Sequence, residues 1–106
     1  MIIVNTDKIA GKKIVRTLGL VRGNTIRVRH LGRDIMASLK HIVGGEIKSY
    51  TQMMSDAREE AIARMVKQAE ELSADAVTNV RFATSMIMQG AAEILCYGTA
   101  VKIEAE

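Results

Sequence analysis

Aromatic residues are nearly missing from this chain: Tyr50, Phe82 and Tyr97 are the full set, and there is no tryptophan. A core built without them must be aliphatic and methionine-rich, which suffices for folding but is tolerant in shape. Cysteine is reduced to Cys96, so no internal disulfide can form, and that fits a reducing compartment. No apolar stretch approaches the roughly 18 uninterrupted residues of a membrane span, and no basic segment leads into an apolar one as in an export signal. A cytoplasmic location, with no membrane partner, is the expectation. Signatures of catalysis are lacking too. Gly11-Lys12 has neither the upstream glycine nor the following Ser or Thr of a phosphate-binding loop, and no G-x-G-x-x-G or G-x-S-x-G occurs. The acids Glu59, Glu60, Glu70 and Glu71 fall on a helix face expected to be solvated, where a shifted pKa is not expected. The chain is not read as an enzyme.

What is present is enough for one domain. With 106 residues, 48% of them hydrophobic, the chain can bury roughly two-thirds of its unfolded surface. Its net charge of +3 is unevenly spread: Met1 to Gly45 carries nine Lys or Arg against Asp7 and Asp34, whereas the rest of the chain is mildly acidic. An acidic part and a basic part can meet across subunits, or the basic part can meet an anion.

The clearest periodic element runs from Ser49 to Leu72. Tyr50, Met54, Ala57, Ala61, Met65, Ala69 and Leu72 recur at steps of three and four, one face of a long amphipathic helix, and Ile62 and Val66 widen the stripe. Glu60 and Arg64 are spaced for an i,i+4 ion pair. Ser49 with Gln52 has the spacing of a capping box.

The flanking segments read as strands. Met1 to Asn5 is a short apolar run suited to a sheet edge. Lys12 to Arg22 is expected to be a strand bent at Gly19, with a turn at Gly23-Asn24. Thr25 to His30 alternates Ile26 and Val28 with Arg27 and Arg29, which predicts both arginines on the wet side. Arg33 to Val43, with Ile35, Met36, Leu39, Ile42 and Val43 on one face, predicts a short helix ended by Gly44-Gly45. Ala76 to Met88 and Ala92 to Ile103 predict a hairpin turning at Gln89-Gly90. In the first of these strands Val80, Phe82, Met86 and Met88 share one face and Val77, Arg81, Ala83 and Ile87 the other. Both strands are apolar on both faces, yet one helix covers only one side of a sheet, so the reverse side needs the short helix, the N-terminal strands or another subunit, and a share for another subunit is the expectation. The fold class expected is α+β: a two-layer, antiparallel-rich sheet packed on one long helix.

In order along nearly the whole chain, Gly11-Lys12-Lys13-Ile14-Val15, Leu18-Gly19-Leu20-Val21-Arg22-Gly23, Asp34-Ile35-Met36-Ala37-Ser38-Leu39, Ile42-Val43-Gly44-Gly45, Ala57-Arg58-Glu59-Glu60-Ala61, Ala74-Asp75-Ala76-Val77 and Tyr97-Gly98-Thr99-Ala100-Val101 resemble the YbjQ-like family of small proteins labelled heavy-metal-binding. The resemblance implies a β-α-β-β core with additional N-terminal strands, assembled as a ring, a pentamer being the expected form. It implies no established activity. One residue departs from the pattern: Ser73 stands where the family commonly has glycine just past the long helix. If Ser73 is left-handed it costs on the order of 1 kcal/mol relative to glycine; otherwise the helix must end through another cap.

Candidate sites follow from residue type. The metal donors are His30, His41 and Cys96, at no spacing of a zinc motif, with Met86 and Met88 a soft pair whose simpler reading is core packing. Cys96 reads more simply as a small buried apolar residue. Arg27, Arg29 and Arg33 with His30, near the start of the expected short helix, are the anion-site candidates. The leading expectation is a non-enzymatic homo-oligomer that binds a metal ion or small ligand in or around its ring. The alternative is an anion- or nucleic-acid-binding module using the basic N-terminal half; nucleic acid is the weaker form, because no aromatic interleaving and no reading motif accompany the charge.

Overall fold

A computed structural model of the chain describes residues 1–28, 42–43 and 46–106, with side chains described outside 42–50. The elements in order are β1 (Ile2–Ile3), β2 (Lys12–Val28), β3 (Ile42–Val43), β4 (Glu46–Ile47), α1 (Lys48–Glu71), β5 (Ala76–Met88) and β6 (Ala91–Ala105). The protein is α+β. Its main sheet is four-stranded and mixed, in the order β1-β5-β6-β2, with β1 parallel to β5 and the other neighbours antiparallel. β3 and β4 form a separate two-residue antiparallel ladder.

The apolar spacing of α1 becomes its buried face: Met54, Ala57, Ala61, Met65 and Ala69 pack with Val21, Val77, Ile94, Cys96 and Ala100 from the sheet. The helix lies mainly over β2 and β6 and barely touches β5. Leu72 falls outside both the helix and its buried face; it is exposed, because the chain has already turned. That turn is a Schellman closure, in which the Ala74 N–H donates to the Ala69 carbonyl and the Ser73 N–H to the Glu70 carbonyl. Closing it requires a left-handed residue, and Ser73 supplies one at φ 59°. At the other end the helix begins a residue early, at Lys48, so Ser49 lies inside the helix and not at its cap position, and the Gln52 amide donates forward to Asp56 Oδ1 at 2.8 Å.

Four expectations need correction. No turn occurs at Gly23-Asn24; β2 is one continuous strand of 17 residues, with register irregularities between Ile14 and Arg16 and between Thr17 and Gly19. Gly23 is there for close approach: a Cβ on it would lie 2.3 Å from the Ala61 carbonyl oxygen and 2.4 Å from the Met65 nitrogen. The same contact reverses the expected faces of Thr25–Val28. Thr25 is buried, its hydroxyl donating to the Ala57 carbonyl at 3.1 Å, and Arg27 follows it onto the helix side, while Ile26 and Val28 are 53% and 67% exposed on the reverse. In β5, Asn79 adopts φ 54° at a register shift between Thr78 and Arg81, so Val77 and Val80 both pack on the core instead of lying on opposite faces. Finally, Ile42–Val43 is strand and not the end of a helix; the remainder of the expected short helix, from Arg33, lies outside the described residues.

The N-terminal segment lines the outer edge of β5 only in part. Val4 N–H donates to Val77 O, Val80 N–H to Val4 O and Asn79 N–H to Thr6 O, each at 3.0 Å. Arg81 Nη1 then bonds the Asn5 carbonyl at 2.7 Å. β5 continues for seven residues past that point, all exposed.

Candidate functional site

Cys96 sits on the helix side of β6, fully buried, with its Sγ 3.5 Å from Met65 Sδ. Burial pushes the Cys96 thiol up from its ordinary pKa, so it stays protonated. A neutral thiol and a thioether sealed in a core do not offer the thiolate that soft metals select. Met86 and Met88 are not in the core: Met86 is 70% exposed and Met88 is likewise open, and a register shift between them breaks the shared strand face. His30 and His41 lie outside the described residues. Among the described residues, no three His, Cys, Asp or Glu side chains stand close enough to hold a metal ion.

Of the anion candidates, Arg29 and Arg33 lie outside the described residues. Arg27 is engaged. Its guanidinium bonds Glu60, which also pairs with Arg64 one helical turn on, and Arg64 bonds the Asn24 carbonyl on β2. The Arg27 hydrogen bond leads in holding the Glu60 carboxyl below the usual carboxylate range, with the charge of Arg64 adding to it. The trio ties α1 to β2 and leaves Arg27 little to offer a ligand. A signal for this was present in the sequence: Gly23 and Thr25, at alternate positions, are small like Ala57 and Ala61. Small residues on both elements mark where a helix comes close enough to claim the next side chain on that strand face.

A second ionic tie joins the ends of the core hairpin. Asp75 accepts the Ile103 N–H at 3.0 Å and pairs with Lys102 at 3.6 Å. The Ile103 N–H does most to lower the Asp75 pKa, with Lys102 contributing.

Composition gave no sign of the hollows in the surface. One of about 460 Å³ is lined by Asp7, Lys8, Lys12, Lys13, Ile14 and Glu106, a set of mixed charge with three lysines against two carboxylates. A smaller apolar groove of about 270 Å³ lies between Ile3, Val4, Ile62, Val80 and Phe82. It opens beside the exposed half of β5.

Residues 1–104 match the family model described as "Putative heavy-metal-binding". The chain belongs to this family. Similar members include a UPF0145 protein of Methanosarcina acetivorans, 63% identical over 97% of both chains, and one of Dehalococcoides mccartyi, 58% identical over 98% of this chain and all of that one. A solved structure from Pediococcus pentosaceus, of a protein of unknown function in the DUF74 family, superposes with a TM-score of 0.61 over 98% of each chain at 18% identity, a likeness of fold. The family's description names metal binding, and the described side chains of one protomer do not assemble donors for it. No helix among the described residues is long and apolar enough to cross a membrane.

Proposed function

We propose that this chain is a non-enzymatic subunit of a homo-oligomeric ring in the cytoplasm, a pentamer being the form its family resemblance implies, and that the assembled ring binds a metal ion or small ligand. The observation carrying this reading is surface left without cover. Among the described residues Leu20, Ile26, Val28, Met86, Ile87 and Met88 are each at least half exposed, more contiguous apolar surface than an isolated soluble chain usually shows.

Two observations support a binding role without catalysis. The shifted carboxylates, Glu60 and Asp75, are held below their usual range, away from the neutral pH at which a general base works. Each is also committed to a structural partner. A metal site would draw on His30 and His41, or on donors from neighbouring copies, because Cys96 is sealed beside Met65. Native mass spectrometry of untagged protein prepared without chelators tests both parts. The expected result is five times the chain mass of 11.6 kDa with a retained ion or small molecule. A folded 11.6 kDa particle at micromolar concentration overturns the assembly, and a ring that takes up no metal when titrated with zinc, copper or nickel overturns the metal role.

A further inference from the structure

We propose that the distal half of β5, Phe82 to Met88, is the edge on which a second copy of this chain adds a strand, extending the sheet across the subunit boundary. This rests on the reading that the chain self-associates, and it assigns the surface that does so.

The two long edges of the sheet are built differently. β2, at one edge, carries Lys12, Lys13, Arg16, Arg22 and Arg27 and has two register irregularities. Where α1 passes, Gln68 accepts the Arg22 N–H at 2.7 Å and Arg64 donates to the Asn24 carbonyl, so part of that edge's hydrogen bonding is already met. Charges, bulges and a covering element are how sheet proteins blunt an edge. Past Arg81, β5 keeps one register irregularity, between Met86 and Met88, but no described element covers its outer edge. From Phe82 to Gln89 there is no charged residue and no proline. The N-terminal segment stops bonding at Val80 and Arg81, and no other described backbone group reaches the outer edge beyond them. An unpaired, uncharged strand of this length is a template for another strand.

Its side chains indicate a copy of the same chain as the partner. Phe82 and Met86, opposite Cys96 and Ala92, lie on the helix side but beyond the cover of α1, and Ile87 is 50% exposed at the adjacent bulge. The reverse face of the same end carries the exposed Ile26 and Val28. Beside the strand lies the groove formed by Ile3, Val4, Ile62, Val80 and Phe82. One chain therefore carries both parts of a joint: projecting methionines, which adapt their shape readily, and an apolar recess to receive a neighbour's. Two different surfaces meeting head to tail produce a ring when the rotation closes.

The test uses the full chain with Met86→Lys and Ile87→Lys, singly and together. Both side chains are already open in one protomer, so lysine there is compatible with its fold. The double variant is expected to sediment at 11.6 kDa at a micromolar concentration where the parent chain is oligomeric, with an unchanged far-UV spectrum. In the parent chain, amide exchange across residues 82–88 is expected to be at least about tenfold slower in the oligomer than after dilution to monomer. If the variants keep the parent mass and these amides exchange rapidly in the oligomer, the edge assignment falls and self-association stands. If protection persists unchanged in the dilute monomer, another part of the same chain covers the edge, and the assignment falls. A parent chain that is monomeric throughout removes both readings.

Discussion

The strip where β2 meets α1 and the outer half of β5 are both strands rich in apolar residues, but only the first is covered. The difference lies in size and not in hydrophobicity. On β2, Gly23 and Thr25 face Ala57 and Ala61, so helix and strand approach until backbone atoms nearly touch. On β5, Phe82, Met86 and Met88 are larger and more hydrophobic, yet the helix has already claimed the narrower strip and does not reach them. Apolar character thus indicates which surfaces want cover, while side-chain volume decides which one the chain's own helix supplies.

The largest break in this comparison should come from Gly23→Ala. The added methyl has backbone neighbours that cannot swing aside, and a loss of about 3 kcal/mol is expected, at the upper end of overpacking. Denaturant unfolding measures it, and an unchanged midpoint would show that the close approach does not matter. Met65→Ala and Met86→Ala sharpen the contrast between the strips. The first removes a fully buried side chain and should cost about 3 kcal/mol. The second should stay within about 0.5 kcal/mol in the monomer, because its side chain is open there. Equal effects would mean that the two strips are buried alike in a single chain. A smaller gain is expected from Ser73→Gly. The left-handed residue of the helix closure would no longer carry a Cβ, and thermal stability should rise by about 1 kcal/mol. A loss would show that the serine side chain contributes something that its backbone position does not reveal.

The smallest effect concerns pH. The folded Asp75 carboxyl titrates below its unfolded value, so the unfolded chain binds more protons in acid. Its contribution to stability is present above the unfolded pKa and is lost as pH falls through the folded one. Asp75→Asn should therefore flatten the acid limb of the stability profile and leave the slope near neutrality unchanged. Equal acid limbs for the two proteins would place the sensitivity elsewhere, with Glu60 the next group to test.

Much of the fold was legible because its signals are local. The spacing of Met54, Ala57, Ala61, Met65 and Ala69 gave the helix and its buried face, and turn residues at Gln89-Gly90 gave the hairpin, with β5 matching the expected Ala76–Met88. The candidate site was less legible. Arg27 was placed on the wet side because alternation cannot say which face of a strand is the inner one; α1 made that choice by resting on Gly23 and Thr25. Asn79 is of the residue type that after glycine best tolerates the left-handed region, but the apolar alternation around it hid the bulge, and its shift in register regrouped Val77 with Val80. Cys96 was read as a small buried residue from its type and lies beside Met65.

By itself, then, the sequence determined the long helix, the hairpin and an excess of apolar strand surface, because each follows from period, from turn chemistry or from composition. Only the tertiary structure decided which face of β2 turned inward, which arginine was spent on Glu60, and which half of β5 was left open. Those outcomes depend on where elements distant in the chain come into contact, and steric fit between Gly23 and the α1 backbone settles that.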